Sequence, residues 1–507
     1  MKVLYIAAEC KPFAKMGGVG DVAGELPPAL RAQGIDVAVA LPCYGSMNPD
    51  YVTDRNAYAF DVPFGDTVEP VAVHRGDLQG VPVYFIQNAT FFEGDAYARP
   101  YVYSLDLPFK DDILRFSFFS EACLALVRTL QPDIVHINDW VLGYLFGRMV
   151  QEDLPPKRVL TVHNIGYQGN IWKDRIRGWH IERVLLYDPR IGPRFDASFG
   201  RDVNALRLAL ELAHRVNTVS PTYAEEITRP ENPAAFFEGG KGLDFVTRRL
   251  ADEGRLVGIL NGYTYPHQPT EKAFARKCQE KARAKAALSE AFAEPDAFLL
   301  GFVGRAVEQK FRLLTEPLMG RPVLDHILDL DHVNVAILGT GVPAYEWFIG
   351  NIATRYFSGA LPYQEYLYRP RRTNYTFKIA FDGEMKQRIC LGSDVFLMPS
   401  LFEPCGIIQM ESMNNATPPL VRWTGGLVDT VAPHTASGGT GFGFNGGTRE
   451  EVLWNLLSTV NKARDVYLND PQTFAHLQRN AFSARYTWED AAHRYLEDVY
   501  KPALDAA

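Results

Sequence analysis

The first forty residues alternate between apolar runs and one amphipathic stretch. Val3 to Ala8 is an apolar run, Gly17-Gly18-Val19-Gly20 a glycine-rich turn, Asp21 to Gln33 an amphipathic segment stopped by Gly34, and Ile35 to Leu41 a second apolar run. Short apolar runs bounded by turns read as strands and a 3.6-residue period as a helix. The chain therefore opens as strand, loop, helix, strand. The pattern recurs at Ile134-Val135-His136, after a helical stretch from about Ile113 to Leu130, and again at Val159 to His163. A second cycle starts near residue 298, with strands expected at Phe298 to Val303, Val333 to Leu338, Asp394 to Met398 and Pro419 to Val421. Apolar strands separated by helices predict parallel sheets covered on both faces. The expected fold is α/β: two doubly wound parallel-sheet domains facing a cleft.

Between the cycles, Leu260 to Pro266 carries Asn261-Gly262 and Pro266, turn chemistry at a plausible hinge. The boundaries expected are 1–262, 263–485 and a terminal segment 486–507. In that segment Thr487 is placed to cap a helix from Trp488 to about Tyr500, with Trp488, Ala492, Tyr495 and Val499 on one face. The segment is expected to pack back on the first domain. Tyr363 to Thr376, rich in Tyr and Arg, reads as a loop or irregular insertion.

A length of 507 residues exceeds what one core supports, in keeping with two domains. The net charge of −8 argues against a general grip on nucleic acid, which needs a basic face. Cys10, Cys43, Cys123, Cys278, Cys390 and Cys405 stand singly, with no CxxC pair and no histidine cluster at zinc spacing, which suits a reducing, cytoplasmic compartment. The run after Met1 is broken by Glu9 and Lys11 too early for a signal peptide, and no apolar run approaches the roughly 18 residues of a membrane span. A cytoplasmic protein is expected, or a plastid stromal one if a transit peptide has been removed.

Four segments at the ends of expected strands carry candidate chemistry. Lys15 to Asp21 includes Gly17 and Gly18, where backbone could approach an anion at a helix start; spacing alone leaves a plain tight turn equally open. Neither the GxGxxG spacing nor a P-loop is present. Arg305 and Lys310, five residues apart after a strand, suit either a diphosphate or solvent. Pro399 to Glu411 is expected to open a helix with Glu403 at its start and Glu411 two turns on. Glu403 there is either a sugar ligand or a partner of the helix dipole, with Cys405 and Gly406 beside it. Thr424-Gly425-Gly426 repeats the strand-glycine-helix arrangement. His136 and His163 end strands and suit structural or functional roles alike, whereas Asp139 beside Trp140 pairs a carboxylate with an aromatic, a combination that suits carbohydrate.

Taken in order, these segments resemble the bacterial and plastid glycogen (starch) synthases, glycosyltransferases with the two-Rossmann-lobe GT-B architecture. The likeness rests on Lys15 to Val22, His136 to Trp140, Val162 to Gly169, Val219 to Tyr223, Gly258 to Gly262, Arg305 with Gln309-Lys310, Phe402 to Gly406 and Thr424 to Leu427, and runs from Val3 to Tyr500. It implies retaining transfer of glucose from ADP-glucose to the non-reducing end of an α-1,4-glucan. Lys15 with Gly17 and Gly18, Arg305 and Lys310 would bind the donor phosphates, and Glu403 with Cys405, Gly406 and Thr424-Gly425-Gly426 the donor's glucose and phosphates. Asp139, His163 and Asn261 would line the sugar, Asp21 would sit beside it, and Glu411 would meet the ribose. Trp140, Tyr167 and Tyr223 would face the acceptor. No cofactor is implied, and no metal, since Lys and Arg meet the charge of a leaving diphosphate and no Asp-x-Asp appears. UDP-glucose, another acceptor, or a non-catalytic glucan-binding role are the competing readings. Tyr263, Thr264 and Phe311 depart from the family pattern. The resemblance does not extend to oligomeric state.

Overall fold

The computed structural model describes residues 1–93, 110–196, 202–352, 373–435 and 438–506. They form two compact units. The first is built from Met1–Pro230, Gly239–Gly262 and Thr487–Ala507, the second from Glu231–Glu238 and Tyr263–Tyr486.

The first unit holds a nine-stranded sheet. Its spatial order is Leu256–Gly258, Arg215–Thr218, Lys157–Val162, Ile134–Asn138, Lys2–Ile6, Asp36–Pro42, Val81–Gln87, Thr67–Leu78 and Asp54–Phe64. The first seven run parallel. The last two are antiparallel and form a hairpin at one edge. The hydrophobic pattern predicts no strand at Asp54–Phe64 because only Val62 and Phe64 of its eleven residues are buried.

Alternation along the parallel strands feeds two cores. Leu4 and Ile6 pack with Phe116, Phe119 and Leu145 on one face. Val3 and Tyr5 pack with Leu26, Leu30, Trp488 and Tyr495 on the other. The second face is thus closed partly by the end of the chain: the hydroxyl of Thr487 accepts the N–H of Asp490 at 3.1 Å and starts the helix Trp488–Arg494.

The second unit has six parallel strands, in the order Tyr375–Lys378, Val333–Leu338, Phe298–Val303, Val395–Met398, Pro419–Arg422 and Phe442–Phe444. Apolar clusters lie on both faces. Tyr375 and Thr376 belong to its edge strand, paired with Val335 and Ala336, so the expected loop ends before them; residues 363–372 of that stretch lie outside the described residues. Phe311 is fully buried against Phe302, Tyr345 and Phe348, which makes this departure from the family pattern a core residue.

Candidate active site

In each unit the parallel strands bring their carboxyl ends to one edge, and the loops that leave them carry the candidate side chains. In the first unit the strand Lys2–Ile6 runs on to Glu9, whose carboxylate is 1% exposed and accepts the N–H groups of Met16 and Gly17. Burial raises its pKa, and those two N–H groups oppose the rise. The glycine-rich turn therefore wraps a carboxylate of the protein itself. A Cβ at Gly20 would come within 3.0 Å of Glu9 Oε2. The N–H of Gly17, expected to face a ligand, is already used by Glu9; at Gly18 the space around a Cβ is open. The helix Gly18–Ala32 begins here and places Asp21 2.6 Å from the half-exposed ammonium of Lys15.

Asp139 follows the strand Ile134–Asn138 with φ 56° and ψ −167°. That conformation is nearly reserved for glycine and costs on the order of 1–3 kcal/mol, strain of a kind that collects at functional sites. Its carboxylate accepts the His163 N–H at 2.7 Å. Desolvation raises its pKa to about 7, with a further push from Glu9, against the pull of the His163 and Asn164 N–H groups.

His163 Nε2 lies 2.8 Å from Asn138 Oδ1, which also accepts the Tyr5 hydroxyl at 2.9 Å, while Asn138 Nδ2 donates to Ile6 O at 3.0 Å. An amide oxygen only accepts, so Nε2 carries the proton and Nδ1 is the bare nitrogen. Burial lowers the pKa of His163 to about 3, and the ring is neutral. His136 is different: both ring nitrogens are engaged, by Tyr500 at 2.8 Å and Thr161 at 2.7 Å, and the residue is structural.

Two of the three expected acceptor contacts are corrected. Trp140 is 3% exposed, packs edge-on against Phe116, and lies under Gly169, where a Cβ would meet its ring at 2.3 Å. Tyr223 is 1% exposed and its hydroxyl accepts the Ile165 N–H at 3.0 Å. Neither offers a face to an acceptor; both hold the loop that follows His163. Tyr167, on that loop, is 47% exposed. Asn261 is buried, and among the described residues its Oδ1 has no hydrogen-bond partner.

In the second unit the helix Glu308–Thr315 starts just after the strand Phe298–Val303, with Lys310 in its first turn and Arg305 exposed on the loop before it. Lys310 Nζ is paired with Glu403 Oε2, which also accepts the Ser400 hydroxyl at 3.0 Å. Glu403 is 6% exposed. The two loops are tied by the Leu401 N–H to Gln309 O at 2.8 Å and by Gln309 Nε2 to Phe402 O at 3.0 Å.

Glu403 does not start a helix. The helix runs Ile408–Asn414, after a loop through Gly406 at φ 75°. Glu411 lies in its first turn and is held by Lys386 at 2.7 Å. The Thr424-Gly425-Gly426 turn packs backbone to backbone on the Glu403 loop: Gly426 N–H donates to Glu403 O at 3.0 Å. A Cβ at Gly425 would strike that same oxygen at 2.1 Å, and one at Gly426 would strike Cys405 O at 2.4 Å.

Sequence reasoning passed over Glu9 and Asn138. Each stands at the end of an apolar run, and that position was the available signal.

Residues 2–249 match the starch synthase catalytic domain. The chain is 34% identical over 526 residues to the glycogen synthase of Moorella thermoacetica, covering 100% of this chain and 97% of that protein. It is 34% identical over 526 residues to that of Streptococcus mutans, with 99% of each covered. The chain belongs to the glycogen and starch synthase family. Members of this family are glycosyltransferases, and this chain is one that transfers glucose to an α-1,4-glucan. Among solved structures, the catalytic domain of starch synthase IV from Arabidopsis thaliana, bound to ADP and acarbose, superposes with a TM-score of 0.79 at 28% identity, with 99% of each chain covered. Sucrose-phosphate synthase from Thermosynechococcus elongatus shares the fold, with a TM-score of 0.57 at 16% identity and 100% of each chain covered. The two α/β units are those of a GT-B glycosyltransferase.

Proposed function

We propose that this glucan synthase uses ADP-glucose as donor, adds glucose to the non-reducing end of the acceptor with retention of anomeric configuration, and works without a metal. The pairing of Lys310 with buried Glu403 carries this reading. A buried carboxylate is stable only when paired and hydrogen-bonded, and here its partner is a cation at the start of a helix, where N–H groups also favour anions. Lys310 and Arg305 supply positive charge for the diphosphate as the bond from the anomeric carbon to the phosphate oxygen breaks. Glu403 accepts hydrogen bonds from glucose hydroxyls, and Gly425 and Gly426 leave room for the backbone of Glu403 and Cys405, which sets that carboxylate in place. Glu411 meets the ribose.

In the first unit Lys15, oriented by Asp21, adds to the phosphate charge. Asp139 favours the positively charged sugar of the transition state, and neutral His163 and the oxygen of Asn261, unpartnered among the described residues, bind hydroxyls. Tyr167 is the exposed aromatic left to meet the acceptor. ADP bound in the Arabidopsis starch synthase supports the donor assignment.

The test is transfer from radiolabelled ADP-glucose or UDP-glucose to maltooligosaccharide. Preference for ADP-glucose, full rate in EDTA, and an α-linked product are expected. Nucleotide release that ignores added glucan, or loss of rate in EDTA restored by Mg²⁺, would overturn the corresponding part.

A further inference from the structure

The first unit carries a second concentration of cations at the other end of its sheet. Arg158 is the second residue of the strand Lys157–Val162, and Arg215 opens the strand Arg215–Thr218. Arg255 immediately precedes Leu256–Gly258. With Arg190, Arg194 and His214 they line an open pocket of about 800 Å³. His163 lies five residues beyond Arg158 along the same strand direction, so the pocket is on the order of 17 Å from the candidate active site at the ~3.3 Å rise per strand residue.

The chain as a whole carries a net charge of −8, yet among the described residues this pocket gathers five guanidinium groups against two side-chain carboxylates, Glu211 and Asp505. Glu211 is already engaged by Arg249 at 2.5 Å, outside the lining. Arg190 and Arg255 have carboxylate partners in Asp153 and Glu253. Arg158, Arg194 and Arg215 form no ion pair among the described residues. Each donates to one carbonyl: Arg158 Nε to Leu212 O at 2.8 Å, Arg194 to Arg190 O, and Arg215 to Gly254 O.

Capping those carbonyls uses one donor of the five that a guanidinium offers. No ion pair among the described residues compensates the remaining charge of these three, and two groups of the pocket are shifted, burial being the larger cause in each. Burial, then the charge of Arg255, lowers Arg158 to about 10. Burial and the charges of Arg158, Lys157 and Arg255 lower His214 to about 4. Neutral His214 accepts the Arg158 N–H on Nδ1 at 2.9 Å, so its other nitrogen is a donor as well. A pocket furnished with forked donors and unneutralised charge is complementary to a tetrahedral oxyanion, which takes paired hydrogen bonds from guanidinium groups.

We propose that this pocket binds the phosphate group of a small anionic metabolite, at a site separate from the donor site. Isothermal titration of the full chain with inorganic phosphate, with glucose 1-phosphate and with glucose tests it. Binding of both phosphate-bearing probes but not of glucose is expected, weakened at least tenfold in Arg158→Gln and in Arg215→Gln. Equal affinity for the two probes would identify the phosphate alone as the ligand; tighter binding of glucose 1-phosphate would identify a phosphorylated sugar. Arg194→Gln, an exposed position whose loss spares the core, should weaken binding at least threefold, so the test survives misfolding of the other two variants. Absence of binding in the wild-type chain, or affinity unchanged in all three variants, would overturn the proposal.

Discussion

Asp139→Asn should stabilise the first unit while it removes activity. The carboxyl has a pKa of about 7 in the folded chain against 3.8 when unperturbed. An acid whose folded pKa lies above its unfolded value binds the extra proton in the folded state, so stability falls as pH rises between the two values. The penalty is absent below about pH 4 and complete above about pH 7. At 1.36 kcal/mol per unit its ceiling is about 4 kcal/mol. Asparagine keeps an oxygen to accept the His163 N–H and carries no charge. The variant should therefore gain stability at pH 8 by up to about 4 kcal/mol and little at pH 4.5. Hydrogen exchange of the strand amides Ile134–Asn138, compared between the two proteins at each pH, reads this directly. A gain of that size slows exchange by up to roughly a thousandfold where opening is global. Transfer to maltooligosaccharide should meanwhile fall by at least a hundredfold if the charge acts in the transition state. A stability difference that does not grow from pH 4.5 to pH 8 would refute the account of Asp139 as a carboxylate held in its costly ionised form.

Lys310→Ala should lower kcat/KM by about 10²–10³, the usual cost of one preorganised electrostatic contact, and it leaves Glu403 buried without its cation; steady-state kinetics with ADP-glucose measure it. Asn138→Ala removes the acceptor that fixes the His163 tautomer and should lower kcat roughly two- to tenfold, the worth of one hydrogen bond, while Asn138→Asp restores an acceptor and part of the rate. Trp140→Ala should cost about 3–5 kcal/mol of stability, read as a lowered denaturant midpoint. The same variant should show no rise in KM for long acceptors over short ones, because the ring is in the core.

The parallel strands were legible because their residues are buried on both faces, leaving uninterrupted apolar runs such as Phe298–Val303. The antiparallel edge was not, since a strand with one solvated face and a charged start, Asp54-Arg55-Asn56, has no such run. The site shows the same division. Strand ends announced Asp139, His163 and Arg305, because a polar residue just after an apolar run stands at the sheet edge; Lys310 follows seven residues beyond Val303, in the helix Glu308–Thr315. Which of their neighbours face solvent depends on contacts distant in sequence. Trp140 reads as a sugar platform until Gly169 is found lying on its ring. Glu9 reads as the end of a strand until the Gly17 N–H is found bound to it.

The first unit recovers its last core residues only after the second has been passed. Trp488, Tyr495 and Tyr500 fill the face beneath Val3 and Tyr5, and the Tyr500 hydroxyl meets His136 across 364 positions of chain. During vectorial synthesis the second unit thus emerges before the segment that completes one face of the first. Translation order and completion order are inverted. Loss of the residues from Leu496 onward would damage the unit that was made first.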